Sequence, residues 1–541
     1  MAGAVIENLS NRKLIVILSS LLLLQGAFFF VGAYYAPQPT SSMEFEMITC
    51  LDKDKKVTGK WFDKSCYVIE ELSDYDASGS YDLREIVFIA QMPHVRDNVQ
   101  LNYTTKFQFL LGLLHVEVEY SDHFKYIPGA KIEFEARLGA RNGVDEEWTE
   151  IGAANATRNL ECTISEHRKT EGQSYECDIV DLFELASVNY PLYLLNIRLP
   201  ISQMQCRYDA KSPNCQIGKI RSLSLIEIHQ NGGFTLTWLW MKTVISPFVI
   251  AAVYWYWNRI NQMARKPYLI EKAIFALGLS TAILDFPLEW ASLYVRFPLL
   301  LVFGDIRQGL FYGVLFSFWL IFAGEHCIDD SERNNLRSYR LNLGTIGLAS
   351  LALLIYECAE RGMQISDPFH SIWSSETGIR LAYLTIYLAS ISTVIYFAFL
   401  LYKILRAWTT IKSKRSAQIY RNCVNNRLKV EGIIYRFKFL MLFTIVCAAS
   451  TIVAYSMKQH GEAQMHDDSD GIMQHNTSSF FTGTFGMWNI YVLLLLAMYA
   501  PSHKQYSGNS QLVDESESLM DDSAAQTDST PMAALTKPAQ D

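Results

Sequence analysis

Residues 14–35 read LIVILSSLLLLQGAFFFVGAYY and contain no Asp, Glu, Lys, Arg or His. At about 1.5 Å of rise per helical residue, such a run crosses the ~30 Å of bilayer hydrocarbon. Arg12 and Lys13 precede it, and Ala33 and Ala36 close it with small residues, so a cleaved signal peptide is the alternative. Its apolar core exceeds the roughly 7–15 residues of a signal peptide, which favours a retained anchor. Windows of about 19 residues find nothing comparable until residue 237. After that, apolar runs crowd together at 237–257, 269–293, 305–322, 341–356, 381–405, 434–457 and 480–500. The fifth of the eight runs is short and is expected to extend beyond these limits. The fold class expected is a multi-pass α-helical membrane protein with eight spans.

Composition agrees. Half the residues are hydrophobic, 13% are aromatic and only 19% are charged, which excludes a disordered or fibrous chain. The net charge of −8, with no basic stripe outside short loops, excludes nucleic acid as a partner.

Loop charge sets the orientation. Between residues 402 and 438 stand Lys403, Arg406, Lys412, Lys414, Arg415, Arg421, Arg427, Lys429, Arg436 and Lys438 against the single acid Glu431. That loop is therefore cytosolic, as is the one holding Arg259, Arg265 and Lys266, and eight crossings put both termini in the cytosol. Three glycosylation sequons, at Asn102, Asn155 and Asn476, then fall together on the lumenal side. So do Cys50, Cys66, Cys162, Cys177, Cys206 and Cys215, an even set in an oxidising compartment. Six cysteines allow 15 pairings. Pairing of neighbours (Cys50 with Cys66, Cys162 with Cys177, Cys206 with Cys215) is expected because each closes a short loop between strands. Cys327, Cys358, Cys423 and Cys447, in spans or beside them, are expected to be free.

The organisation that follows is a cytosolic N-terminus and first span (1–36), a lumenal domain (37–234), a seven-span bundle (235–505) and a cytosolic tail (506–541). Within 37–234, segments such as EIVFI at 85–89, HVEVE at 115–119 and KIEFEA at 131–136 alternate with period two, and turn signals such as Pro128-Gly129 separate them. This pattern predicts an antiparallel β-sandwich or barrel. The domain holds 30 acidic and 20 basic residues, a net of −10. Composition favours ordinary solubility charge as the reason for this acidic surface, with complementarity to a basic secreted partner as the functional reading.

Ionisable groups inside spans point to function. Asp285 and Glu289, four apart, share one helical face of the third run, and the fourth opens with Asp305 and Arg307. Arg307 is expected to pair with Glu289 or Asp285 as a structural ion pair. Two aspartates in different spans also raise an intramembrane protease that shares one proton between two carboxylates. Such enzymes carry Tyr-Asp and Gly-x-Gly-Asp, whereas here the flanks are Leu284-Asp285 and VFGD at 302–305. Zinc-helix, nucleophile-elbow, P-loop and CxxC patterns are absent from the sequence, so no catalytic residue, metal or cofactor is assigned. The fourth run carries Phe311, Tyr312, Phe316 and Trp319, beside a fifth run rich in small residues, Gly344, Gly347 and Ser350. Close packing is the default reading of that pair; the sharper one is a cleft open to lipid in which an acyl chain lies.

Several strings carry a resemblance: MAGA at 1–4, LLNIRLP at 194–200, IHQNGGFT at 228–235, FGDIRQG at 303–309, CAERG at 358–362, YRFKFLML at 435–442 and YAPSHK at 499–504. The chain resembles the Wntless family of membrane carriers for lipidated Wnt proteins. The resemblance implies a lumenal β-domain on seven spans similar to heptahelical receptors, and a carrier rather than an enzyme. It implies acylated Wnt proteins as cargo, the acyl chain lying between the fourth and fifth spans. It further implies membrane lipids and sorting machinery (retromer, clathrin adaptors) as partners, and residence in Golgi, endosome, endoplasmic reticulum and plasma membrane. Where relatives carry a Tyr-Glu-Gly-Leu endocytic signal, this chain reads VEGI at 430–433, which puts that adaptor contact in doubt. ESESLM at 515–520 resembles an acidic dileucine substitute, and KPAQD at 537–541 only partly resembles the vertebrate retrieval sequence. The alternative function is a heptahelical signalling receptor. Against it, the Asp/Glu-Arg-Tyr and Asn-Pro-x-x-Tyr signatures of such receptors are missing from their expected places.

Overall fold

The computed structural model describes residues 5, 11–52, 61–63, 66–69, 72, 85–95, 101–122, 125–200, 214–263, 265–295, 299–325, 334–416, 439, 442–447, 449–450 and 471–501. Most of the seventh apolar run, the heart of the basic loop, Cys206, VEGI at 430–433 and the tail at 506–541 lie outside the described residues.

Period-two patterning becomes two packed antiparallel sheets. The strands are β1 (Thr40–Glu46), β2 (Ile48–Leu51), β3 (Tyr67–Val68), β4 (Ile86–Met92), β5 (Leu110–Glu119), β6 (Lys131–Arg141), β7 (Thr149–Asn159), β8 (Cys162–Thr163), β9 (Glu176–Cys177), β10 (Val180–Leu185), β11 (Leu192–Arg198) and β12 (Lys219–Gln230). One sheet runs β1-β12-β5-β10, the other β3-β2-β4-β11-β6-β7, and β8 pairs with β9. Strict alternation on β5 sends Leu114, Val116 and Val118 into the core, where they meet Phe134 and Leu138 of β6 and Leu223 and Leu225 of β12. The central strands β4 and β11 do not alternate, because both their faces are covered. Trp61, Phe62 and Trp148 pack over Val87, Ile89 and Leu194 on the outer side of the six-stranded sheet. The Cys50–Cys66 disulfide fastens the segment that carries two of these aromatics, and a second disulfide joins Cys162 to Cys177, as the spacing predicts. Cys215 is also disulfide-bonded.

The helices are α1 (Asn11–Phe30), α2 (Gly232–Asn261), α3 (Leu269–Asp285), α4 (Glu289–Tyr294), α5 (Leu300–Glu325), α6 (Arg340–Gln364), α7 (Glu376–Ser416) and α8 (Gly471–Met498). Among the described residues, six segments are long and apolar enough to cross a membrane: α1 with its following turn, α2, α5, α6 with its preceding turn, α7 and most of α8. The third expected span is not one helix. Phe286 turns extended before Pro287, which cannot continue α3, and the chain resumes as the six-residue α4. The fifth span lengthens to Leu336–Gln364.

The first span packs against the last. A Cβ at Gly32 would fall 2.2 Å from Thr482 Oγ1, and Gly483 and Gly486 sit under Phe29 and Phe28. Gln25 Nε2 donates to Gly483 O at 2.8 Å. Small residues thus allow close contact where no hydrophobic drive exists between helices in lipid. The lumenal domain passes into the bundle without a linker. Strand β12 ends at Gln230, and Asn231 caps α2 by accepting from Gly233 N–H at 2.9 Å.

Candidate functional site

The α2 end adjoining the β-sandwich borders a cavity of about 500 Å³, closed by α3, α5 and α8. Its walls are aromatic: Trp238 from α2, Phe311 and Tyr312 from α5, and Phe481, Phe485 and Trp488 from α8. Phe311 and Trp488 meet edge to face at 5.9 Å, as ring quadrupoles prefer.

One side of this cavity is ionic. Glu289 Oε1 accepts from Lys242 Nζ at 2.6 Å and from Arg307 Nη2 at 2.7 Å. Arg307 Nη1 donates to Phe286 O at 2.9 Å, a carbonyl at the α3–α4 break. The Lys242 and Arg307 side chains are 7% and 8% exposed. Two cations sharing one carboxylate replace, in part, the water each has lost. The break at Pro287 is what turns Glu289 toward both. Asp285 and Asn489 border the same space. Both Asp285 oxygens and Asn489 Oδ1 lack a well-formed hydrogen bond among the described residues, while Asn489 Nδ2 donates to Phe485 O at 3.1 Å.

The expected Glu289–Arg307 pair is therefore present, and Asp285 is not part of it. Asp305 goes elsewhere: its Oδ2 lies 3.3 Å from Arg361 Nη1 on α6. The two aspartates thus have separate surroundings. Sequence reasoning missed Lys242 and Arg361. The signal for Lys242 was a lone cation in the 237–257 run; for Arg361 it was CAERG, quoted above only as a likeness.

The aromatic stripe of α5 divides. Phe311 and Tyr312 face the cavity, whereas Phe316 packs 5.4 Å from Tyr396 of α7 and Trp319 Nε1 donates to the Tyr491 hydroxyl at 2.9 Å. On α6, Gly344, Gly347 and Ser350 are exposed. A Cβ on either glycine would meet nothing within 4 Å, and one on Gly313 of α5 would stand 3.5 Å from Ser350 Oγ. The two glycines thus face open space, and α5 and α6 approach each other at Gly313 and Ser350. Asn102 and Asn155 are exposed on the lumenal domain. Asn476 does not sit in a loop but inside α8, and Ser478 of its sequon is buried and donates to Pro37 O at 2.5 Å.

Residues 48–230 match the family model described as "Wntless, GOLD domain", and residues 231–503 the one described as "Wntless-like, transmembrane domain". The chain is 61% identical over 547 aligned residues to "Protein wntless homolog" of Caenorhabditis elegans, covering all of both chains. It is 38% identical over 513 residues to the protein of the same name in Mus musculus, covering 94% of this chain and 92% of the relative. The figure for the Gallus gallus protein is 39% over 515 residues, with the same coverage.

Proposed function

The chain belongs to the Wntless family, and on that footing we propose that it is a carrier that holds lipid-modified Wnt proteins and escorts them through the secretory pathway to the cell surface. The observation that carries this reading is the aromatic cavity under the lumenal domain, bordered by the same α5 helix that approaches α6 at Gly313 and Ser350, with Gly344 and Gly347 of α6 facing open space. An acyl chain loses about 0.8 kcal/mol per methylene when forced into water, so a dozen methylenes amount to on the order of 10 kcal/mol. A groove that opens toward the bilayer removes that penalty, and the ionic side of the cavity offers partners to the polar residues around the acylated position. The acidic lumenal domain suits a basic, cysteine-rich cargo by charge.

On this reading the protein works in Golgi, endosome, endoplasmic reticulum and plasma membrane with both termini cytosolic, and it returns by way of cytosolic sorting machinery. The test compares copurification of acylated Wnt with that of an unacylated serine variant. Capture of the acylated form alone is the expected result; equal capture overturns the reading. Wnt secretion that persists in cells lacking the chain, while a response to an added ligand disappears, would replace the carrier with a signalling receptor.

A further inference from the structure

Helices α6 and α7 form a hairpin at the side of α5. Its two helices touch each other more extensively than either touches α5, and both present long exposed apolar faces, including Leu348 and Leu351 of α6 and Tyr387 and Ile391 of α7. Its lumenal tip, in contrast, is gripped twice. The loop between the helices plugs the β-sandwich: Phe369 is 3% exposed within the sandwich core, with its ring 6.0 Å from Phe183. Arg158 Nη2 donates to Phe369 O at 3.0 Å and Glu184 N–H to Pro368 O at 2.9 Å. The second grip is Arg361, in the last turn of α6. Its Nη1 lies 3.3 Å from Asp305 of α5, and its Nε lies 3.1 Å from Glu357 one turn back. The Glu184 carboxylate of β10 is within electrostatic reach of the same guanidinium from the lumenal domain.

We propose that the α6–α7 hairpin is a lateral gate against α5, latched at its lumenal end by Arg361 and Asp305, and that the lumenal domain moves it through the Phe369 plug. Cargo that shifts the sandwich pulls on the loop, strains the latch and parts α6 from α5 along the seam at Gly313 and Ser350. The latch is suited to opening because the Asp305 oxygen 3.3 Å from Arg361 accepts no well-formed hydrogen bond among the described residues, so the pair lacks the short directional bonds that make charged contacts strong. The plug is suited to transmission, since a buried phenylalanine moves with the core around it. That the gate admits an acyl chain rests on the carrier reading; the motion itself does not.

The seam can be read directly. A Cβ at 313 stands 3.5 Å from Ser350 Oγ, within reach of a disulfide between G313C and S350C. Full-length protein in membranes is oxidised, and the 313–350 bridge is quantified by mass spectrometry. R361A and D305R should each slow bridging by about two- to fivefold, whereas R361K, which keeps the cation, should slow it less than R361A. F369L, which keeps an apolar group in the core, should slow it as well; R361Q and F369M are the second choices if either variant is not monodisperse. Bridging unchanged in R361A, or as slow in R361K as in R361A, overturns the latch. Bridging unchanged in F369L overturns the coupling to the lumenal domain. Because no cargo is present, failure of the carrier reading leaves these results intact. Loading acylated Wnt onto pre-bridged protein then tests the assignment: capture lost on bridging and regained on reduction supports acyl admission, and capture unaffected by bridging overturns it.

Discussion

Replacing Glu289 with glutamine should be the most damaging single change in the bundle that leaves side-chain volume intact. Lys242 Nζ and Arg307 Nη2 lie 2.6 and 2.7 Å from one and the same oxygen. At an effective dielectric of ~20, each contact contributes roughly 6 kcal/mol of Coulomb attraction, most of it offset by the water that the three groups have given up. The side chains are 7%, 8% and 15% exposed, so solvent screens little of it. E289Q keeps the desolvation and removes the attraction, leaving two cations facing each other. Breaking a buried pair in this way costs about 3–5 kcal/mol. K242M leaves the Glu289–Arg307 pair in place and loses one charge-assisted hydrogen bond, about 1.5–3 kcal/mol. R307M falls between them, because the Phe286 carbonyl also loses its donor.

The assay is the fraction of detergent-solubilised full-length protein that stays monodisperse after heating. The midpoint should fall in the order wild type, K242M, R307M, E289Q. The triple variant K242M/E289L/R307M should recover most of the loss, because apolar groups of similar size carry no desolvation penalty. If E289Q is no worse than K242M, the charges are not balanced as described. If the triple variant is as unstable as E289Q, the loss lies in packing.

Four further outcomes are expected. G344L/G347L should abolish copurification of acylated Wnt without lowering surface expression, since the added side chains meet nothing within 4 Å; unchanged capture moves the acyl site elsewhere. Enzymatic deglycosylation should shift the gel mobility of N476Q as far as that of wild type and that of N102Q or N155Q by less, because only Asn476 lies inside a span helix with its sequon serine buried. Burial pushes the Glu184 carboxyl above its ordinary value, against the pull of Arg361 and helped by Glu360 and Asp181. A raised value in the folded protein means that seating of the Pro368–Phe369 loop is firmest below about pH 4.5 and weakens as pH rises through the raised value. Protection factors in that loop, with the intrinsic pH dependence of amide exchange divided out, should therefore be higher at about pH 5 than at about pH 7.5, and E184Q should flatten the difference. Peptide mapping under non-reducing conditions should join Cys206 to Cys215, and any other partner for Cys215 refutes the neighbour rule used for the lumenal cysteines.

What could be read in the sequence was what local spacing encodes. Alternation on β5 and β6 gave the inward faces directly, and short gaps between cysteines gave two disulfides. The positions of Asp285, Glu289 and Arg307 marked one side of the cavity. What could not be read depends on which helices become neighbours. Lys242 reaches Glu289 across 47 residues of chain, and no periodicity relates a lone lysine on one apolar run to an acid beyond the next. The break before Pro287 was visible as a residue, yet a hydropathy window averages over it, so 269–293 looked like one span. Asp305 and Arg307 open the same apolar run, but two residues apart on a helix they point to different sides. One joins the cavity and the other joins α6.

That divergence bears on how a carrier can both hold and release. Arg307 is buried and doubly bonded, so the cavity side of α5 is fixed, whereas Asp305, one helical face away, holds α6 by an ion pair without a well-formed hydrogen bond among the described residues. The helix is thus rigid toward the space that would receive the polar part of the cargo and loose toward the seam that would receive its acyl chain. An acyl chain costs little to transfer between a protein groove and the bilayer, since both are apolar. Retention therefore cannot come from the groove alone and must come from the barrier to opening the seam. If so, weakening the Arg361–Asp305 contact should speed cargo loss from loaded protein in membranes more than it reduces equilibrium capture. A variant such as R361A that lowers capture while leaving the dissociation rate unchanged would show that the seam stores no cargo.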